Sequence, residues 1–166
     1  TFEVLENVFD TLVEPDEQLQ MRPALAESWE VSPDGLQWTF TLRDGVTFHN
    51  GDPLTAADVE YSFRRIIDEE LSNAYKLEAI ASITALDDRR VRFTVSAPTP
   101  NLLTSIGGFK GLAIVNRRNV ESGEITTRPI GTGPFSFVSR SPGASIVLAS
   151  NPDYWGGAPA VDGVRY

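Results

Sequence analysis

The sequence contains no cysteine, and this absence excludes several kinds of chemistry at once. Disulfide bonds, iron–sulfur clusters, thiol nucleophiles and zinc sites with cysteine ligands all require a thiol. Histidine is nearly absent too, because His49 is the single one in 166 residues. A metal site would need His49 together with carboxylates such as Asp44 or Asp52, and these residues do not have the spacing typical of zinc ligands. We therefore expect no metal and no cofactor.

Clustered positive charge is missing as well. The chain has 14 Lys and Arg against 23 Asp and Glu, which gives a net charge of −9 and a pI near 4.6. Nonspecific binding to nucleic acid depends on clustered cations that displace counterions from the phosphates. We therefore expect no nucleic-acid partner.

Long apolar runs are also absent. None approaches the roughly 18–20 residues that a membrane-spanning helix requires, so we expect no transmembrane segment. The first residues lack the basic and apolar regions of a signal peptide, and the chain does not begin with Met. We expect the sequence to be a fragment or a processed form. Hydrophobic residues still make up 41% of the chain, which is enough for a core without cross-links.

What the sequence does have is a clear strand pattern over residues 28–48. Apolar residues alternate with polar ones at Leu36, Trp38, Phe40 and Leu42, which is the period of a half-buried strand. The segment 32–35 (SPDG) has the composition of a type I turn, and a second turn follows at 43–45. The pattern predicts a three-stranded antiparallel meander.

Helical patterns flank this region. Apolar residues from Phe2 to Leu12 have helical spacing and predict an opening helix of about three turns. Thr55 and Asp58 have the spacing of a capping box, which predicts a helix that starts at Ala56. The remaining predicted elements are a hairpin over residues 83–95, a buried strand over 112–115 and a helical turn over 117–121. Strands are predicted near 135–137, 146–148 and 161–166, with a turn at 141–143 (SPG) between the first two.

Two segments resemble parts of nucleotide-binding or catalytic sites, but the residues around them do not fit such sites. Residues 131–136 (GTGPFS) begin like a dinucleotide-binding loop, but Ser136 replaces the third glycine and a strand pattern follows where a helix should start. His49 could serve as the base of a small hydrolase, although the turn residues after it favour a structural role at a strand end.

Four ordered blocks of the sequence resemble family 5 solute-binding proteins, the dipeptide, oligopeptide and nickel receptors of ABC importers. The first block is residues 24–51, ALAESWEVSPDGLQWTFTLRDGVTFHNG. The others are residues 54–63 (LTAADVEYSF), 129–135 (PIGTGPF) and 151–157 (NPDYWGG). Together they cover most of the chain.

This resemblance implies a mixed α+β fold, the first lobe of a bilobal periplasmic-binding-protein-like receptor with an antiparallel meander plus helices. It implies that residues 1–50 and 128–166 form approximately one subdomain and residues 51–127 the other, with the second lobe absent. It also implies that a peptide or other small solute is enclosed between two lobes and delivered to a membrane permease, without any enzymatic reaction. The expected location is the periplasm, or the cell surface as a lipoprotein.

The resemblance also assigns candidate ligand-binding residues. The segment 107–111 (GGFKG) matches a loop that reaches the ligand cleft in relatives, which makes Phe109, Lys110 and Gly111 candidates. Lys110 matches a position where the nickel receptor has an arginine, and a cation there can pair with a carboxylate. Phe2 matches a position that can touch the ligand. Two alternatives remain: a ligand-sensing or interaction module of a regulator, and a small hydrolase that uses His49.

Overall fold

A computed structural model of the protein describes residues 2–108 and 110–166, with side chains from Val4 onward. The chain forms two compact units, each built from separate segments. Unit 1 contains Thr1–Asp10, Gly45–Leu54 and Val115–Tyr166, and unit 2 contains Thr11–Asp44 and Thr55–Ile114.

Helices and antiparallel strands alternate along the chain, which confirms the predicted mixed α+β class. The α-helices are α1 (Phe2–Val8), α2 (Ala56–Asp68), α3 (Leu102–Gly107) and α4 (Arg117–Glu121). The strands are β1 (Val13–Pro15), β2 (Met21–Pro23), β3 (Ala26–Val31), β4 (Gln37–Leu42), β5 (Ile80–Ala85), β6 (Arg90–Val95), β7 (Phe135–Ser141), β8 (Ser145–Ser150) and β9 (Gly163–Arg165). Short 3₁₀ helices cover Ala74–Leu77, Lys110–Leu112 and Glu124–Thr126.

Unit 2 is built around a four-stranded sheet in the order β3-β4-β6-β5, with all neighbours antiparallel. Helix α2 packs against β5 and β6. The rings of Phe40 and Phe93 meet edge to face at a centroid distance of 5.3 Å, and Phe63 of α2 meets Phe93 at 5.1 Å. Edge-to-face pairs of buried aromatics add to the stabilisation that comes from burial alone.

The predicted start of α2 is confirmed. One carboxylate oxygen of Asp58 accepts hydrogen bonds from the backbone N–H and the hydroxyl of Thr55, both at 2.9 Å. These bonds satisfy a donor at the helix terminus that has no partner within the helix.

The predicted meander is correct for two strands and wrong for the third. β3 and β4 pair as expected, but the second edge of β4 pairs with β6, and Thr47 makes only an isolated bridge to Pro53. An alternating pattern indicates a strand but does not specify its partner. The edge is taken by β6, which also alternates and buries Val91, Phe93 and Val95.

This pairing also decides how the chain divides between the two units. Residues 11–44 belong with 55–114 because β3 and β4 share a sheet with β5 and β6, and residues 115–127 belong with unit 1. The expected grouping of residues 1–50 with 128–166, and of residues 51–127 as the other subdomain, stays a prediction.

Unit 1 contains the antiparallel sheet β7-β8-β9, with α1 packed against β7. The predicted strands and the turn at residues 141–143 are confirmed, and Gly143 has the positive φ of 74° that this turn requires. The predicted helical turn at 117–121 is also confirmed as α4.

Two other predictions are wrong in part. The opening helix ends at Val8 rather than near Leu12, whose carbonyl accepts bonds from Ala24 and Ala26 in an extended segment. Residues 112–115 form no strand, although Leu112 and Ile114 are fully buried as expected. A short apolar run predicts burial more reliably than it predicts strand structure.

Candidate functional site

The candidate ligand-binding segment follows α3, and α3 is held tightly against β1. Gly107, the last residue of α3, is buried against the carbonyl oxygen of Val13. A Cβ atom at Gly107 would overlap that oxygen and lie 2.7 Å from Cε of Met21. The close approach requires glycine and fixes where the chain leaves the helix.

Lys110 and Gly111 lie between two buried anchors. Ile106 and Leu112 are fully buried, whereas Lys110 and Gly111 are half-buried. Lys110 begins a 3₁₀ helix in which its carbonyl accepts a bond from Ala113 at 3.2 Å. This hydrogen bond and the two buried neighbours hold the backbone of Lys110 in one place.

The remaining two sequence candidates cannot be placed in the same way. Phe109 lies outside the described residues. Phe2 begins α1 in unit 1, and its side chain is also outside the described part. Of the four candidates, Lys110 and Gly111 are described in full, and both lie in unit 2.

Tyr75 is an exposed aromatic residue that the sequence pattern did not single out. Tyr75 lies in the 3₁₀ helix Ala74–Leu77, which contacts both α2 and α3. Its side chain is 64% exposed, while the neighbouring Leu77 is 1% exposed and anchors the turn. Residues 68–82 have no clear periodicity, so their sequence gave no signal for an exposed aromatic on an anchored turn beside α3.

His49 is fastened to the backbone by both ring nitrogens. Nε2 lies 2.9 Å from the carbonyl oxygen of Gly133, and Nδ1 lies 3.2 Å from the amide nitrogen of Gly131. Since a carbonyl accepts and an amide donates, Nε2 carries the proton and Nδ1 accepts. Burial lowers the pKa of His49, against the opposing effects of the Gly133 bond and the charge of Asp10. A histidine held in this way has no nitrogen ready to act as a hydrolytic base.

A buried carboxylate organises the loops of unit 1. Asp10 is 1% exposed, and its Oδ2 accepts hydrogen bonds from the hydroxyl of Thr132 and from the indole Nε1 of Trp155, both at 2.9 Å. The GTGP and NPDYW blocks thus meet at Asp10, just after α1, and Thr132 and Trp155 have a structural partner there.

Helix α4 fastens two further segments of the same unit. Asn116 caps the helix by accepting from Asn119 N–H at 3.0 Å and donates to Asp52 at 3.0 Å. The Asn119 side chain, 3% exposed, donates to the carbonyl of Arg128 and accepts from the N–H of Ile130, both at 3.0 Å. Buried amides that use donor and acceptor together hold loops without a regular ladder.

Within residues 2–108 and 110–166, no group of three or more His, Asp and Glu residues could hold a metal ion. No helix among these residues is both long enough and apolar enough to cross a bilayer.

The family model "Bacterial extracellular solute-binding proteins, family 5 Middle" matches residues 20–166. The chain belongs to this family. A Pseudomonas aeruginosa family 5 relative, Di/tripeptide-binding protein 2, is 36% identical over 168 residues, which cover 84% of this chain and 31% of the relative. Protein XP55 of Streptomyces lividans is 37% identical over 158 residues, which cover 93% of this chain and 29% of that protein.

A solved structure agrees with the family 5 assignment. MoaA of A. tumefaciens R10, in complex with mannopinic acid, has a TM-score of 0.92 and 31% identity, and the match covers 99% of this chain and 35% of MoaA. The chain therefore has a periplasmic-binding-protein fold. It spans about a third of the length of these proteins.

Proposed function

We propose that this chain is the first lobe of the solute-binding component of an ABC importer, and that a second lobe completes the receptor. The observation that carries the proposal is the family 5 match over residues 20–166, together with the superposition on a solute-bound receptor. The receptor captures a peptide or a similar small solute and delivers it to a membrane permease.

We further propose that Lys110 binds a carboxylate of the solute. The similar proteins named above include a di- and tripeptide-binding protein and a receptor for mannopinic acid, and both kinds of ligand contain a carboxylate. An ammonium group on an anchored segment can make a charge-assisted hydrogen bond to such a group. Tyr75, exposed beside α3, offers a face on which an apolar part of the solute can stack.

In this proposal the protein binds its solute and does not catalyse a reaction. The engaged ring of His49 argues against the hydrolase alternative, because a general base needs a free nitrogen within reach of the substrate. The solute would bias the receptor toward a closed form that binds it better than the open form does. The proposed location is the periplasm, or the cell surface with a lipid anchor.

Native mass spectrometry of the protein at its natural length, purified from its own source, tests the proposal. We expect a species heavier than 18.2 kDa that releases a small solute on collisional activation. A second sample, incubated with a mixture of di- and tripeptides, should show a mass adduct. If the protein carries no bound solute in either sample, the proposal that it is a solute receptor is wrong. That result would favour the alternative, an interaction module of a regulator.

A further inference from the structure

The surroundings of His49 point to a property that solute binding does not require. The 131–133 loop is held from three directions: by the His49 ring, by the end of α1, and by Asn151, whose side-chain amide donates to the carbonyl of Gly133 at 3.1 Å. The loop is the segment through which the chain enters β7. Its position therefore affects the sheet of unit 1.

The loop has no room to move toward α1. A Cβ at Gly131 would overlap the carbonyl oxygen of Val8 and lie 2.8 Å from the ring of Phe9. A Cβ at Gly133 would lie 2.6 Å from the carbonyl oxygen of Asn7, and the N–H of Gly133 donates to Val8 at 3.0 Å. Backbone packed this closely cannot rotate to present a different group to the imidazole.

The bond at Nδ1 exists only while His49 is neutral. A proton on Nδ1 would place its N–H against the N–H of Gly131, two donors facing each other across 3.2 Å. The Nε2 bond to Gly133 would survive, since Nε2 donates in both protonation states.

We propose that His49 is an acid-sensitive fastener of unit 1: protonation of Nδ1 breaks the hydrogen bond from the Gly131 N–H to the ring and loosens the 131–133 loop. The backbone bond from the His49 N–H to the Gly131 carbonyl, at 2.9 Å, does not depend on this proton. The charged groups around the ring do not provide Nδ1–H with an acceptor that would replace the lost bond. Asp10, at the end of α1, favours the proton, but its Oδ2 already accepts from Thr132 and Trp155. The loop itself carries no charge. Asp52, on the same segment as His49, is occupied by three other side chains, those of Asn50, Asn116 and Arg118.

The direction of the effect follows from proton linkage. Burial lowers the pKa of His49 in the folded protein, so the unfolded chain binds the proton more readily. The stabilisation from the neutral ring is fully present above the pKa of an unfolded histidine and is lost as the pH falls below it.

The test compares the melting temperature between pH 7.5 and pH 5 in the natural protein and in His49→Gln. Glutamine offers a donor and an acceptor, as the neutral imidazole does, and does not titrate in this range. We expect the melting temperature of the natural protein to fall more steeply with acid than that of the variant. Equal slopes would overturn the proposal.

A second measurement stays informative if the variant does not fold. The ring nitrogens of His49 can be assigned by NMR through their hydrogen bonds to the backbone of Gly131 and Gly133. We expect the Nε2–H tautomer at pH 7.5, titration below the usual range for histidine, and faster hydrogen exchange at the Gly131 amide once the ring is protonated. The opposite tautomer, or exchange at Gly131 that ignores the titration, would overturn the proposal.

Discussion

The N–H of Leu71 donates to the carbonyl of Ile66 at 3.0 Å and closes the C-terminus of α2. The N–H of Glu70 donates to Ile67 at 3.2 Å within the same turn. Together these bonds form a Schellman motif, and they hold Glu70 at a φ of 49°. The position normally takes glycine, because a Cβ is strained in the left-handed region.

The first prediction is that Glu70→Gly stabilises the protein. The substitution relieves left-handed strain and removes a negative charge from the negative end of the helix dipole, and glycine's extra chain entropy offsets part of the gain. We expect a net increase in the free energy of unfolding of about 0.5–1 kcal/mol, measured by urea denaturation.

Glu69→Gly is the matched control. Glu69 has a φ of −90° and pairs with Arg65 at 3.4 Å, so its replacement relieves no strain. We expect no gain in stability. An equal gain in both variants would show that charge, rather than backbone strain, limits the stability of this helix end.

The second prediction concerns the buried carboxylate of Asp10. Trp155→Phe removes one of the two donors to Oδ2 and should lower the free energy of unfolding by about 1–3 kcal/mol. In an Asp10→Asn background the same substitution should cost less, because an underbonded neutral oxygen is less costly than an underbonded charge. A double-mutant cycle by urea denaturation measures the difference. A coupling energy near zero would contradict the network.

The third prediction tests Lys110 in the protein at its natural length. Lys110→Gln should weaken binding of a peptide by about tenfold or more, since a hydrogen bond to a charged group contributes roughly 1.5–3 kcal/mol. Isothermal titration with the peptide and with its C-terminal amide is the measurement. The amide should bind the natural protein weakly and lose little affinity in the variant.

Arg140→Gln serves as the control for charge alone, because Arg140 is exposed on β7 and the charge change is the same. We expect it to leave peptide affinity unchanged. An equal loss of peptide affinity in both variants would contradict a direct contact between Lys110 and the peptide. It would show instead that the net charge of the protein determines the affinity.

The fourth prediction concerns acid stability. Hydrogen bonds from Asn116 and Asn50, with the charge of Arg118, lower the pKa of Asp52 in the folded protein. The stabilisation is present above the pKa of an unfolded aspartate and is lost as the pH falls through the lowered value. Asp52→Asn should therefore flatten the loss of melting temperature between pH 5 and pH 2. An unchanged profile would mean that these contacts also form around a neutral group.

Local signals in the sequence predicted the local structure well. The capping pair Thr55 and Asp58, the turn at 141–143 and the alternation of β3 and β4 each depend on residues a few positions apart. The same signals did not reveal that β4 pairs with β6, because strand pairing depends on which apolar face competes best for an edge.

The candidate site was predicted less completely for a related reason. Family resemblance made Lys110 a candidate, and its role stays a prediction. Neither Gly107's close approach to Val13 nor the exposure of Tyr75 can be read from spacing alone. Asp10 was hidden in an apparently helical apolar pattern, and Thr132 and Trp155, which donate to it, lie 122 and 145 residues away. Contacts between residues so far apart follow from the completed fold.

Those long separations have a consequence for biosynthesis. The strands of unit 2 lie within residues 11–114, whereas α1 must wait for Thr132 and Trp155 before Asp10 has its partners. Loops of this length close slowly, and a chain emerging from the ribosome exposes early segments in the meantime. Unit 2 can therefore complete its four-stranded sheet while Asp10 still lacks Thr132 and Trp155, so the two units need not fold at the same time.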